Sequence, residues 1–180
     1  GEITNFIQNG GGAAVLNRVT GGNASQLLGS LNANGQVMLL NPNGVFIGQG
    51  AVVNVGSFIA TTANVTDEAF LQGQNLSFVG ATDGKIVNEG SIHANSGDVL
   101  LMAKTVENKG TIQAGEGTAA LLAGKDFFLK KDVPGAVKVQ VSAGAEGSAA
   151  AVGVANSGTI EAMQAQLEAQ GNVYALAINQ

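Results

Sequence analysis

The sequence predicts an all-β solenoid, a parallel β-helix of about nine coils, on three observations. First, the pattern Asn-x-Gly-Ser/Thr-Ile-x-Ala recurs as NEGSIHA at 88–94, NKGTIQA at 108–114 and NSGTIEA at 156–162. Second, glycine supplies 27 of 180 residues while charged residues make only 12%, roughly twice and half their usual shares. Third, 45% hydrophobic residues with 4% aromatics and no Trp call for layers of Ala, Val, Leu and Ile rather than a bulky centre. A repeat period of about 20 residues marks a unit that cannot bury its own faces and must stack. At ~20 residues and ~4.8 Å per coil, the chain would make a rod of roughly 43 Å.

Each repeat reads as a turn, a short alternating strand, a second turn and a second strand. The inward pairs of the first strand are Ile92 and Ala94, Ile112 and Ala114, and Ile160 and Ala162. The second strand is GDVLLMA at 97–103 and GTAALLA at 117–123, with GNVYALA at 171–177 displaced by an inserted loop, MQAQLEAQ, at 163–170. The corners are Asn88 and Gly90, Asn108 and Gly110, Asn156 and Gly158. Glycine there suits positive φ, and Asn tolerates left-handed geometry while bonding local backbone.

The N-terminal third carries looser strands, AAVLNRV, QVMLLN, GVFIG and AVVNVGSFIATT, separated by turn signals at Asn9-Gly10, Gly21-Gly22-Asn23, Asn34-Gly35 and Asn43-Gly44. Two stretches, SQLLGSL at 25–31 and TDEAFLQG at 66–73, read as short helical turns, the second opening on Asp67 and Glu68, where carboxylates suit the helix dipole. Residues 126–153 break the period and read as a hairpin or other irregular excursion from the coil. The chain is thus one domain over 1–180, with a looser part at 1–80, regular rungs at 81–125 and 154–180, and the excursion between them.

Charge and residue types exclude several functions. The net charge is −5 and Arg18 is the sole arginine, so no basic stripe exists to neutralise nucleic-acid phosphates. With no cysteine there is no disulfide, thiol nucleophile or zinc-thiolate site. The repeat alignment sets Asp98 level with Thr118 and Asn172, and Glu89 level with Lys109 and Ser157, so no acidic ladder forms for glycoside or calcium chemistry. His93 lies level with Gln113 and Glu161 in an outward polar ladder rather than in a metal or catalytic site. Arg18 reads as a structural partner of a carbonyl or carboxylate. Phosphate-binding and nucleophile-elbow motifs are absent, so no enzyme activity, cofactor or metal is expected.

Residues 16–62, LNRVTGGNASQLLGSLNANGQVMLLNPNGVFIGQGAVVNVGSFIATT, carry a specific likeness. They resemble the two-partner secretion domain of filamentous haemagglutinin-type exoproteins, with NPNGV at 41–45 similar to that family's signature. The likeness continues through DEAFLQGQNLSFVG at 67–80 and the later rungs. It implies a right-handed helix and export across a bacterial outer membrane by a dedicated partner transporter. It also implies a structural or adhesive role at the cell surface. In the family pattern a signal peptide and cap strands come first, so these are expected to be missing before Gly1, with the exoprotein running on past residue 180.

The motif Asn41-Pro42-Asn43-Gly44 has two compatible readings, a turn with fixed φ at proline and positive φ at Asn-Gly, and a contact for the transporter. The ends suggest a second partner. Asn179 and Gln180 placed before Gly1, Glu2 and Ile3 would write NQGEI, a rung split across two copies. Open sheet edges template pairing with another chain, so the alternative function is a subunit that stacks end to end into an extracellular filament. A carbohydrate-active β-helix is the weaker third. No surface ligand is legible.

Overall fold

The computed structural model describes all residues except 74, 134, 135, 146–150 and 178–180. Asn179 and Gln180 of the split-rung expectation lie outside the described residues. The first layer holds β1 (Ile3–Phe6) and β2 (Ala14–Arg18). Three layers of three strands follow: β3 (Ser25–Leu27), β4 (Ser30–Ala33) and β5 (Gln36–Leu40); then β6 (Val45–Ile47), β7 (Val52–Val55) and β8 (Ser57–Thr61). After an excursion with helix α1 (Asp67–Gln72) and β9 (Leu76–Phe78), the third is β10 (Lys85–Asn88), β11 (Ser91–Ala94) and β12 (Val99–Ala103). The next layer is β13 (Thr105–Asn108) and the long β14 (Thr111–Ala123). A second excursion, β15 (Asp126–Val133) and β16 (Ala136–Ala143), precedes β17 (Ala151–Asn156), β18 (Thr159–Ala169) and β19 (Val173–Ala177).

Strands of successive layers pair in parallel on three faces. One face runs β1-β4-β7-β11-β14-β18, the second β2-β5-β8-β12-β14-β18 and the third β3-β6-β10-β13-β17-β19. This is a parallel β-helix, but each face stacks six strands where about nine coils were expected. Coil steps are short, Ser30 pairing with Val52 and Lys85 with Thr105. The two excursions, at 62–84 and 124–150, use the missing coils' residues: Val45 pairs with Ile86 and Thr111 with Thr159 across them. Five gaps of ~4.8 Å give a stack of about 24 Å rather than ~43 Å.

Two further expectations are corrected. MQAQLEAQ is no loop: β18 continues to Ala169, with Ala165 opposite Ala119 and Leu167 opposite Leu121. Hence Thr118 aligns with Gln164, not Asn172, and GNVYALA is β19 on the third face. SQLLGSL is not helical either, but forms β3, a corner and the start of β4. A Cβ on Gly29 would lie 2.0 Å from Glu2 O, so the glycine allows two coils to touch at that corner. TDEAFLQG does form α1, capped by Thr66, whose hydroxyl accepts from Ala69 N, and ended by Gly73 in the left-handed region.

Apolar residues fill two cores. Inside the coil lie Val37, Val53, Phe58, Ile86, Ile92, Val99, Val106, Ile112 and Leu121. Outside it, Met38, Leu40, Ile59, Leu100, Met102, Ala120 and Leu122 project from the second face. An antiparallel sheet in the order β16-β15-β9 covers them with Leu76, Phe78, Phe127, Leu129, Val139 and Val141. Because both sides of that face are covered, its strands are continuously apolar, as VLLMA is in β12, whereas SIHA in β11 alternates.

Candidate functional site

The chain leaves β5 at Leu40 and must enter β6 at Val45, and the Asn41–Gly44 turn makes that reversal. Gly44 N donates to Asn41 O at 3.0 Å and Asn43 N donates to Asn41 Oδ1 at 2.9 Å, so backbone and side chain of Asn41 close the same turn. Pro42 and Asn43 form its exposed tip, while Asn41 and Gly44 are buried. Gly44 has φ +107°, and a Cβ there would sit 2.6 Å from Lys85 O of the next coil. Positive φ and close approach both demand glycine.

The same turn ties three coils together. Asn41 Nδ2 donates to Asn23 O at 3.0 Å and to Ser25 Oγ at 2.9 Å, and Asn43 Nδ2 donates to Gly21 O at 2.7 Å. On the other side Asn41 N donates to Thr61 O at 3.0 Å, and the Thr82 hydroxyl donates to Pro42 O. Every polar group of Asn41 is therefore used, which its full burial requires.

The corner residues form a second set. Asn88 Nδ2 donates to Asn108 Oδ1 at 2.7 Å, and Asn108 Nδ2 donates to Asn156 Oδ1 at 2.7 Å, a ladder of amides running up the coil. Gly90 N donates to Asn88 Oδ1 at 3.2 Å. The glycines serve a different purpose from the one expected of them. Gly90, Gly110 and Gly158 are not among the positive-φ glycines; instead a Cβ on Gly110 would meet Gly90 O at 2.0 Å, and one on Gly158 would meet Gly110 O at 2.1 Å. Close approach of stacked backbones, not left-handed φ, fixes these positions.

The remaining ionisable residues are engaged individually. His93 stands in register with Asn54 and Gln113 on the outward side of the first face, and Gln113 Nε2 donates to Glu161 Oε2 at 2.8 Å. Arg18 donates to Val65 O at 2.7 Å, pairs with Asp67 at 2.8 Å and contacts Asn64, pinning the start of the α1 excursion to β2. Burial pushes the Asp98 carboxyl up, partly offset by the Thr118 N–H that it accepts at 2.8 Å. Lys109 lies between Glu107 and Glu89, whose hydrogen bonds and charges raise its pKa. Among the described residues no group of three or more His, Asp or Glu side chains is placed to hold a metal. At the two ends, Gly1, Glu2 and Ile3 are exposed on the first layer, and Tyr174 and Leu176 are exposed on β19.

A family model for the TPS secretion domain matches residues 1–180. The chain is 38% identical over 181 residues to a heme/hemopexin-binding protein of Haemophilus influenzae, covering 95% of this chain and 19% of that protein. A second heme/hemopexin-binding protein of Haemophilus influenzae is 58% identical over 53 residues, 29% of this chain and 6% of the relative. The chain thus spans about a fifth, or less, of the relatives it matches. The crystal structure of the HMW1 secretion domain from Haemophilus influenzae superposes with a TM-score of 0.72 at 31% identity, over 99% of this chain and 49% of that one. The coil, its turn and these similarities agree: the chain belongs to the TPS secretion domain family, the domain of secreted, surface-associated exoproteins exported through a partner transporter.

Proposed function

We propose that the chain serves a structural or adhesive bacterial surface protein, and that its Asn41–Gly44 turn supports export by holding coils together rather than by touching the transporter. The observation that carries this is the use of both ends of the buried Asn41 carboxamide, toward Asn23 and Ser25 on one side and Asn43 on the other. The role is non-enzymatic: these carboxylates are each held by a surface cation, Asp67 by Arg18, Asp83 by Lys104, and Glu89 and Glu107 together by Lys109.

Asn41→Ala and Asn43→Ala, each measured for export by the partner transporter and for folding by circular dichroism, test the reading. Asn43→Ala removes an exposed amide bond worth about 1 kcal/mol and should leave a folded, exported domain. Asn41→Ala should lose folding and export together. A folded Asn43→Ala variant held back from export would overturn the proposal in favour of a transporter contact.

End-to-end stacking is the second reading, favoured by edge strands that have no further strand paired to them among the described residues, β1 and β2 at one end and β18 and β19 at the other. Negative-stain microscopy with concentration-dependent light scattering decides it: polymers support it, and monomers of fixed length reject it.

A further inference from the structure

We propose that Asn9 is a site of spontaneous deamidation and backbone isomerisation, and that its conversion exposes Asn34 to the same reaction. The chain has three Asn-Gly pairs, at 9–10, 34–35 and 43–44. In such a pair the glycine nitrogen, unshielded by a side chain, attacks the asparagine Cγ. The N–Cγ bond forms, the Cγ–Nδ2 bond breaks, and the Gly proton leaves with the nitrogen as ammonia. Water then opens the resulting succinimide at either carbonyl, giving aspartate or isoaspartate. The reaction needs no partner but water, so local geometry decides which pair reacts.

Two pairs are locked. Asn34 Oδ1 accepts from Gln8 N at 2.8 Å, its Nδ2 donates to Gln8 O at 2.9 Å, and Gly35 N donates to Gln8 Oε1 at 2.7 Å. Asn43 Nδ2 is held by Gly21 O, and Gly44 N by Asn41 O. Gly35 and Gly44 are also walled in, with Ala13 O at 2.3 Å and Lys85 O at 2.6 Å from a built Cβ. Both nucleophile and amide are therefore out of position.

Asn9-Gly10 differs in exposure, in crowding and in the bonding of its asparagine side chain. Both residues are exposed, Gly10 has nothing within 4 Å of a built Cβ, and the Asn9 side chain makes no hydrogen bond to a described residue. Gly10 N is tied only to Gln8 O, at 2.9 Å, in a surface three-residue turn that water can replace.

The order of events follows from Gln8. It precedes Asn9, and its main chain and side chain supply all three bonds that lock Asn34-Gly35. An isoaspartate at 9 inserts a methylene into the backbone immediately after Gln8 and adds a negative charge, which loosens that lock.

The test incubates the full chain at mildly alkaline pH and follows deamidation by tryptic mass mapping, with isoaspartyl methyltransferase labelling. Cleavage after Arg18 and Lys85 separates Asn9 from Asn34 and Asn43, and fragmentation resolves the latter two. The native initial rate at Asn9 should exceed that at Asn34 by about a hundredfold, equivalent to ~2.7 kcal/mol of extra barrier, and the three should react alike in denaturant. Asn9→Gln should delay conversion of Asn34, and Gln8→Ala should speed it without conversion at 9. Native rates at 34 or 43 equal to that at 9 would overturn the site. An unchanged Asn34 rate in Asn9→Gln would overturn the sequence of events.

Discussion

Replacing Asn108 by alanine tests what holds the coils in register. Asn108 is fully buried, accepts from Asn88 and donates to Asn156, each at 2.7 Å. Alanine deletes both bonds, at ~1 kcal/mol each, and leaves Asn156 Oδ1 without that donor at about another 1 kcal/mol, for a total of ~3 kcal/mol. Asn88 Nδ2 keeps its longer contact with Thr111 O at 3.3 Å, which limits the loss on that side. With a urea slope near ~2 kcal/mol/M, the unfolding midpoint should drop by about 1.5 M at unchanged slope. Asn5→Ala is the control, because Asn32 Nδ2 reaches Asn5 Oδ1 at 2.9 Å in an exposed amide pair between the first two layers, where the loss should stay within ~0.5 kcal/mol. Asn108→Asp adds a charge-specific arm. Its carboxylate could still accept from Asn88 but would face Asn156 Oδ1 with an oxygen, so burial raises its folded pKa above the unfolded value. Stability would then be greatest below the unfolded pKa and would fall as pH rises through the folded one. Equal losses for Asn108→Ala and Asn5→Ala, or a pH-independent Asn108→Asp, would refute the ladder argument.

Other positions give sharper contrasts. Gly110→Ala forces a Cβ to within 2.0 Å of Gly90 O and should cost about 2–3 kcal/mol, whereas Gly115→Ala, with nothing within 4 Å, should stay within ~0.5 kcal/mol; urea unfolding checks both. Asp98→Asn can still accept the Thr118 N–H. Because burial raises the Asp98 pKa, the wild type loses stability as pH rises through that folded value; the variant should therefore be relatively more stable at neutral pH, with no such gain below the unfolded pKa. Phe127→Ala should cost ~3–5 kcal/mol, as much as an interior residue, because Phe127 is fully buried against the outer surface of the second face. A loss below ~1 kcal/mol would make the excursion a dispensable loop.

What the sequence disclosed was the part of the fold that repeats locally. Ile92, Ile112 and Ile160 stack in register because one pattern recurs at the coil period, and α1 begins at Asp67, where two adjacent carboxylates in the first turn mark a helix start. The covering sheet was not legible, since β15 pairs with β9 across a separation that no periodicity reports: Phe127 lies opposite Phe78. Its trace was nevertheless present, in the unbroken apolar runs of β5 and β12, where one buried side alone would have given alternation. The MQAQLEAQ segment misled in the opposite way. Gln164, Gln166 and Glu168 alternate with Ala165, Leu167 and Ala169, a half-buried strand by its own pattern, whereas the likeness of GNVYALA to GTAALLA implies a loop there. The Asn41–Gly44 turn was legible as a turn; its ties to Asn23, Ser25, Gly21 and Thr61 were not, because each partner comes from another part of the chain.

The asparagine and the glycine of each corner act as one unit whose partner is its own copy in the adjacent coil. Asn88 O receives both Lys109 N, at 2.8 Å, and Gly110 N, at 3.0 Å, while Asn108 O receives Ser157 N, at 2.9 Å, and Gly158 N, at 3.1 Å. That double acceptance draws each glycine onto the carbonyl of the glycine below it, leaving no room for a Cβ. The asparagine side chains add the parallel amide ladder. A substitution at the middle corner therefore disturbs two coil contacts, and one at Asn156 disturbs a single contact in the ladder. The motif survives the second excursion, with Asn156 in register on Asn108 although 48 residues separate them. This continuity shows that vertical pairing, rather than sequence spacing, sets the repeat. The second excursion can carry two strands of the covering sheet outside the coil because the corner bonds re-establish register where the chain returns, with Asn156 on Asn108.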